Sequence, residues 1–392
     1  MTLAAVDIQG FRSIRRIALP LRRLTVLLGA NGVGKTNLYR SLELLRATAT
    51  GTLAAEIARE GGLGSIMWAG GRNLSPDGDY DPKYRSDGFR KGEAKRLVLE
   101  ARLEDMGVEG DLDLAYRLEL GYPPPAAAAF ALEAQVKLET LTVPGDRPLR
   151  LMERRGPAAF IRDAAGKRRP LDDTLLQAET VLSQGGALPA LDTVRTALGN
   201  WRFYHSFRTD PDSPLRRPAP ALTAPVLASD GSNLAAVFAT LRHIREDTAD
   251  LDEAIEAAFP GARLHVPPPG DFATFGMVFP EAPKRPFAAH ELSDGTLQFL
   301  ALCGALLAYR LPPFIALNEP EASLHPSLVP ALGQLIARAA ERTQIWIVTH
   351  SVELADVIAD RTGALPIEVI RRNGATWLAG LSEVGTFPDD ED

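Results

Sequence analysis

The stretch LTVLLGANGVGKTNL, residues 24–38, constrains this chain more than any other. Gly29-Ala30-Asn31-Gly32-Val33-Gly34-Lys35-Thr36 fits G-x-x-x-x-G-K-[ST] at every position. An apolar run of strand length precedes it, and Leu38, Leu42 and Leu45 recur at helical spacing after it. The order has one physical use. Glycines let the backbone turn successive N–H groups into an anion-binding nest, and the following helix adds the positive end of its dipole. Lys35 supplies a point charge for the β- and γ-phosphates, and the Thr36 hydroxyl is a hard ligand for Mg²⁺. A chance glycine turn before a helix is the plain alternative, and strand, spacing and helix together disfavour it. The motif predicts ATP and Mg²⁺ as cofactors.

A phosphate loop needs a second strand end to hold the metal and orient water. FIALNEPE, residues 314–321, is the only good candidate: four apolar residues run straight into an amide and a carboxylate. Asn318 would lie on the Mg²⁺ side, and Glu319 would polarise the attacking water. On the residues alone, a buried strand followed by a capped turn with an exposed Glu319 is an equal reading.

From Ser293 onward apolar strands alternate with helices: a helix over 296–309, strand FIAL, a helix over 326–340, strand QIWIV, a helix over 352–360 and strand IEVI. Such alternation predicts a mostly parallel sheet flanked by helices. Residues 1–60 and 288–380 are each too short to form a nucleotide-binding domain alone. Together they make one, with 61–287 inserted between them. Inside the insert, RLVLEARL, LAYRLEL, FALEAQVKLETLTV, PLRLMERR and AAFIRD read as short antiparallel strands. LDDTLLQAETVLSQ and LDTVRTALGN read as helices, WRFYHSF as a strand, and SDGSNLAAVFATLRHIRE as a helix opened by capping residues. No heptad pattern is sustained, so no long coiled coil is expected. Residues 381–392 form an acidic tail.

Length and composition set the remaining bounds. A chain of 392 residues exceeds one small core. Cys303 is the single cysteine, which removes intrachain disulfides and multi-cysteine zinc sites and fits a reducing, cytoplasmic setting. No apolar run is long enough for a transmembrane helix, and the N-terminus lacks the order of a signal peptide. The formal net charge of −7 does not advertise nucleic-acid binding. Basic clusters do occur, with five Arg over 12–23, net +4 over 83–96 and net +5 over 146–169, each of which also reads as a solvated surface.

The order of the motifs resembles an ABC-type ATPase head of the SMC/RecF class. More narrowly, it is similar to bacterial ATPases related to the ATPase part of overcoming-lysogenization-defect (OLD) nucleases. GFRSIRRIALPLRRLTVLLGANGVGKTNL matches that group's opening, and Leu292-Ser293-Asp294-Gly295-Thr296 matches a variant ABC signature. Ala322-Ser323-Leu324-His325 takes the D-loop position, and Thr349-His350 that of the switch histidine. The resemblance covers 1–60 and 288–380 well and the insert loosely. It implies a P-loop NTPase of ABC-head type with a long inserted β/α subdomain and no Toprim domain, the stretch after His350 being too short for one. Its implied site has Gly29 to Thr36 and Asn37 on the nucleotide, Arg12 and Ser13 near the phosphates, and Thr36 with Asn318 on the metal. Glu319 is the implied base, and His350 grips the γ-phosphate and couples it to Glu319. Ser293, Asp294 and Gly295 would contact ATP held by a second copy, which implies a homodimer sandwiching ATP.

Three positions depart from that pattern. Asn318 stands where Asp is usual, which lowers the expected Mg²⁺ affinity and turnover. The segment 65–73, where the Q-loop belongs, has no Gln. His325 replaces the usual D-loop Asp, either as a functional group or as a surface contact. The leading reading is an ATP-driven dimer in DNA maintenance or defence against foreign DNA, with DNA and a separate nuclease or effector subunit as partners. A slow or inactive ATP switch is the alternative. A membrane transporter's ATPase is disfavoured, because its compact helical subdomain would not separate Lys35 from Ser293 so widely.

Overall fold

Strands β1 (Thr2–Phe11) and β2 (Ile14–Pro20) form a hairpin turned at Arg12 and Ser13, with Arg12 in the left-handed region at φ 48°. The structure, a computed structural model, describes residues 1–68, 70, 96–104, 113–123, 133–163, 166–171, 175–245, 248–382 and 384–387. Residues 69 and 71–73 of the predicted Q-loop segment, the basic cluster at 83–96 apart from Arg96, and the acidic end of the tail lie outside the described residues. The chain forms two units. One comprises Met1–Arg22, Gly29–Trp201 and Ile367–Asp392, and the other Arg23–Leu28 and Arg202–Pro366.

The first unit is built on an eight-stranded antiparallel sheet in the order β2-β1-β4-β5-β6-β7-β8-β9. Its later strands are β4 (Leu97–Glu104), β5 (Leu114–Gly121), β6 (Gln135–Val143), β7 (Leu149–Arg155), β8 (Ala158–Arg162) and β9 (Arg168–Pro170). The strands read from the insert therefore continue the sheet begun by β1 and β2. Val6 pairs with Ala101 and Ile8 with Leu99, so alternate apolar side chains of both segments share one buried face. Helix α1 (Lys35–Thr50) buries Leu38, Tyr39, Leu42 and Leu45. Short helices α2 (Leu53–Arg59), α3 (Leu63–Ile66) and α4 (Val181–Gln184) and the longer α5 (Pro189–Gly199) follow. A hairpin of β18 (Ile367–Arg372) and β19 (Ala375–Leu378) completes the unit.

The helix expected over LDDTLLQAETVLSQ is confined to α4 among the described residues. Thr180 caps it, accepting from Ser183 N at 3.3 Å, and its hydroxyl donates to Thr48 O at 2.7 Å. The carboxylate of Glu139, fully buried, accepts from Val181 N at 2.8 Å, Leu182 N at 3.0 Å and Tyr116 Oη at 3.0 Å. These anchors set where the helix begins and override the periodicity before it.

The second unit holds four parallel strands in the order β10-β16-β17-β3: β10 (Arg202–Tyr204), β16 (Phe314–Asn318), β17 (Gln344–Thr349) and β3 (Leu24–Leu28). Every residue of β16 and β17 is buried, as expected of a parallel sheet covered on both faces. Helices α6 (Leu234–Ala239), α7 (Ala249–Ala258), α8 (Asp294–Leu307), α9 (Val329–Ala340) and α10 (Val352–Thr362) supply Phe238, Leu251, Phe299, Leu332, Ile336 and Leu354 to one core with Ile315, Leu317, Ile345 and Ile347. Helix α6 continues as a π-helical turn over Thr240–Arg245. Its preceding Asn233 does not cap it, because Oδ1 accepts instead from Ala228 N at 2.8 Å. Short strands β11 (Ala219–Pro220) and β13 (Phe272–Ala273) pair, as do β12 (Arg263–His265), β14 (Gly276–Val278) and β15 (Phe287–Ala288). Among the described residues no helix is long and apolar enough to cross a membrane, and none has the length of a coiled-coil arm.

Candidate functional site: a phosphate loop and the ends of parallel strands

The chain leaves β3 at Leu28 and turns through Gly29 to Gly34 into α1. Two glycines are dictated by space and conformation. A Cβ on Gly29 would lie 2.5 Å from Val369 O, and Gly34 has φ 99° with its missing Cβ overlapping the Thr376 hydroxyl. Ala30, Asn31 and Gly32 form the exposed crest, while Val33, Thr36 and Asn37 are half-buried. Gly34 gives α1 no side-chain cap, the Asn37 N–H donates to Gly34 O at 3.0 Å, and the positive end of the helix dipole faces the loop. Lys35 is buried, and its Nζ donates to Gly29 O at 2.6 Å and Ala30 O at 2.9 Å. The ammonium is thereby held within the curl of the loop.

Arg12 and Ser13, expected near phosphates, are part of a directed relay. Arg12 pairs with Glu60 through Nη2, and its Nη1 donates to Asn37 Oδ1 at 3.3 Å. Asn37 Nδ2 donates to Ser13 Oγ at 2.7 Å, Ser13 Oγ lies 2.6 Å from Thr376 Oγ1, and Thr376 donates to Val33 O at 2.9 Å. A hydroxyl has one proton, so Thr376 can only accept from Ser13 once it donates to Val33. The relay runs from the β1–β2 turn to a carbonyl of the phosphate loop. Sequence reasoning passed over Glu60 and Thr376. The Asn373-Gly374 turn, with both residues at positive φ, marks the β18–β19 hairpin that carries Thr376. Its pairing with Ser13 is a long-range contact with no local signal.

In the second unit the register aligns three strand ends, with Asn318 opposite Val348 and Thr349 opposite Leu28. Asn318 is 1% exposed, and its Nδ2 donates to His205 Nδ1 at 2.5 Å. Its Oδ1 is buried and accepts no hydrogen bond. An oriented amide oxygen in that state fits a water on a hard cation. No cluster of three or more His, Cys, Asp or Glu is placed for a metal among the described residues, so a cation here would rely on hydroxyl, amide and phosphate oxygens, as Mg²⁺ commonly does.

Glu319 stands at φ 51°, a left-handed conformation that is rare for a side chain of this kind, while its N–H donates to Val348 O at 2.7 Å. The turn thus carries backbone strain of the sort found at functional sites. Glu319 is 31% exposed, and its Oε1 lies 3.9 Å from His350 Nδ1. That ring nitrogen is closer to Glu321, at 3.2 Å. The implied coupling of His350 to Glu319 is therefore the longer of two carboxylate contacts. Glu321 and His205 carry no role in the sequence reading. The first is masked by its place in a turn, and the second becomes adjacent only through the parallel pairing of β10 with β16.

Ser293 is the N-cap of α8, accepting from Thr296 N at 3.2 Å. Asp294 pairs with Arg216 at 2.7 Å, and the same guanidinium donates to Leu292 O, His290 O and Thr209 O. Arg216 thus fixes the shape of the signature turn. A Cβ on Gly295 would lie 3.3 Å from Ser323 O, so the start of α8 and the D-loop stand side by side. His325 caps the short turn over Pro326–Leu328, where its Nδ1 accepts from Ser327 N at 3.2 Å. Its placement matches the surface-contact reading.

Comparison with known proteins agrees with this architecture. The chain matches the structure of an SMC head bound to the C-winged helix domain of ScpA at 16% identity, with a TM-score of 0.56 over 97% of this chain and 98% of that one. It matches an SMC head with an extended coiled coil, bound to the C-terminal domain of ScpA derived from Pyrococcus furiosus, at 15% identity and a TM-score of 0.52 over 97% and 96%. These likenesses show the fold alone, that of an SMC head. Residues 1–53 match the family described as "Protein of unknown function (DUF2813)". Residues 153–356 match the family described as "AAA domain, putative AbiEii toxin, Type IV TA system", and with half of its length so matched the chain belongs to that AAA family.

Proposed function

We propose that this protein is an ATPase head that binds ATP, dimerises around it and opens on hydrolysis. The observation that carries the reading is the phosphate loop: a glycine-built turn, an uncapped helix N-terminus and a lysine held at its mouth. In this reading Gly29 to Asn37 receive the triphosphate, and Lys35 leaves the loop carbonyls for the β- and γ-phosphates. Arg12 and Ser13 act through the relay that braces the loop. Thr36 and Asn318 are the residues that would hold Mg²⁺, whose chemistry is to neutralise charge building on the phosphate oxygens. Glu319 orients and deprotonates the attacking water, and His350 donates to the γ-phosphate. Ser293, Asp294 and Gly295 meet the nucleotide of a second copy, at a helix N-terminus suited to an anion.

We place this cycle in DNA maintenance or in defence against foreign DNA, with an effector protein as partner. SMC heads among the similar structures carry ScpA domains, which supports a protein partner for this head as well. Basic residues over 146–169 support a nucleic-acid contact of modest strength. A slower switch-like version is favoured by Asn318, which brings no charge to the metal.

The test combines ATP titration with light scattering. Lys35→Ala is expected to weaken ATP binding at least tenfold, about 1.4 kcal/mol. Glu319→Gln is expected to shift to twice the protomer mass with ATP and Mg²⁺, and Ser293→Arg to block that shift. Equal ATP affinity in wild type and Lys35→Ala overturns the loop assignment. A Glu319→Gln protein that stays monomeric and hydrolyses ATP at the wild-type rate overturns the base assignment.

A further inference from the structure

Glu321 follows Glu319 by two residues, yet the two carboxylates are placed very differently. The Glu321 side chain is 6% exposed and the Glu319 side chain 31%. Glu321 Oε1 collects three contacts: Thr349 Oγ1 at 2.5 Å, His350 N at 3.2 Å and His350 Nδ1 at 3.2 Å. Thr349 Oγ1 and His350 N donate to it, and a carboxylate oxygen can bond the ring nitrogen only as an acceptor, so that contact calls for the imidazole proton on Nδ1. Thr349 in turn receives Ser351 N at 3.0 Å, and Ser351 caps α10. Glu321 therefore ties together the end of β17, the switch histidine and the start of the next helix.

We propose that Glu321 is the positioning residue for His350. It holds Nδ1–H and fixes the plane of the ring, and Nε2 is then the atom that donates to a γ-phosphate once the ring takes up its second proton, as an imidazolium between two anions. The inference rests on the ATPase reading above for the phosphate, and on the contacts alone for the ring. It divides the acidic pair by task. Glu319, strained and half-exposed, is left to the water. Glu321, buried, bonded to Thr349 Oγ1 and the His350 N–H and 3.2 Å from the ring nitrogen, sets the geometry of the histidine. The same division accounts for the 3.9 Å separation between Glu319 and Nδ1, because that nitrogen already has a nearer acceptor.

The experiment compares wild type, Glu321→Ala and Glu321→Gln in the full chain. The first readout is the tautomer of His350, read by ¹⁵N NMR of histidine-labelled protein without nucleotide and assigned with His350→Gln. The wild-type ring is expected to be protonated on Nδ1, and Glu321→Ala to shift it toward Nε2. The second readout is steady-state ATP hydrolysis. Glu321→Ala is expected to lower kcat about 10- to 100-fold, the usual range when a group that orients a functional side chain is lost. The Kd for ATP should stay within about threefold, since the loop contacts are untouched. Glu321→Gln keeps an acceptor oxygen and is expected to recover part of kcat. A wild-type ring protonated only on Nε2 overturns the proposal, as does Glu321→Ala with unchanged kcat. If Glu321→Ala fails to fold, the wild-type tautomer and Glu321→Gln decide. Wild type that neither binds nor hydrolyses ATP refutes the ATPase reading instead, and the tautomer then reports on the ring contact alone.

Discussion

Replacing Thr376 by Val keeps the shape of the side chain and deletes one hydroxyl. Thr376 is fully buried. Its hydroxyl donates to Val33 O at 2.9 Å and accepts from Ser13 at 2.6 Å, so two hydrogen bonds are lost. Each is worth about 0.5–1.5 kcal/mol net, and a partner stranded away from water raises the loss further. Here the partners are not stranded. Val33 and Ser13 are half-buried, and Ser13 keeps the bond from Asn37. The expected loss is therefore about 1–2 kcal/mol, near the sum of two ordinary bonds. In a unit of this size that lowers the melting temperature by about 3–6 °C, measured by calorimetry. If the relay holds the Val33–Gly34 peptide in its ATP-ready geometry, up to the same free energy appears in binding, and the Kd for ATP rises by up to about thirtyfold in isothermal titration. Thr376→Ser restores the hydroxyl and should restore both values. A Thr376→Val protein that melts and binds ATP like wild type would refute the claim that the β18–β19 hairpin braces the loop.

Asn318→Asp places a carboxylate where an amide oxygen accepts no bond, and it is expected to lower the half-saturating Mg²⁺ concentration of the ATPase severalfold; an unchanged Mg²⁺ requirement removes Asn318 from the metal. Burial pushes the Glu139 carboxyl above its ordinary range, against the opposing pull of the Val181 and Leu182 N–H groups, Arg154 and Tyr116. Its folded pKa is thus raised, so its contribution to stability is complete below the unfolded value and is lost as pH rises through the folded one. Glu139→Gln stays neutral and carries a pH-independent penalty of about 1–3 kcal/mol for setting an NH₂ against the Val181 N–H. Its stability relative to wild type should improve from about pH 4.5 upward. A difference that is flat with pH, or that worsens, contradicts this assignment.

The local features of this chain were legible because they are enforced locally. A glycine at φ 99° before a lysine, and an apolar run long enough for a buried parallel strand, leave their mark on adjacent residues. Hence the phosphate loop, α1, the strands β16 and β17 and the helices between them appeared on the sequence close to where the structure has them, and the SMC-type head fold followed from their order. Two local expectations did not hold. The helix expected before α4 gave way to the Thr180 cap and the Glu139 anchor, and Asn233 turned its side chain away from the helix it precedes.

Tertiary structure alone decided which side chains serve which others. Antiparallel pairing of β1 with β4 joined the first hairpin to the strands of the insert. The β18–β19 hairpin brought Thr376 to Ser13, and parallel pairing of β10 with β16 brought His205 to Asn318. Glu321, unremarkable in sequence, gained its bonds from Thr349 and His350 only when β17 came to lie beside β16. Residues far apart in the chain carry no shared periodicity or spacing. Their partnership exists only after the core has fixed the strand register, whereas a nest of N–H groups at a helix start is complete within eight residues of one another.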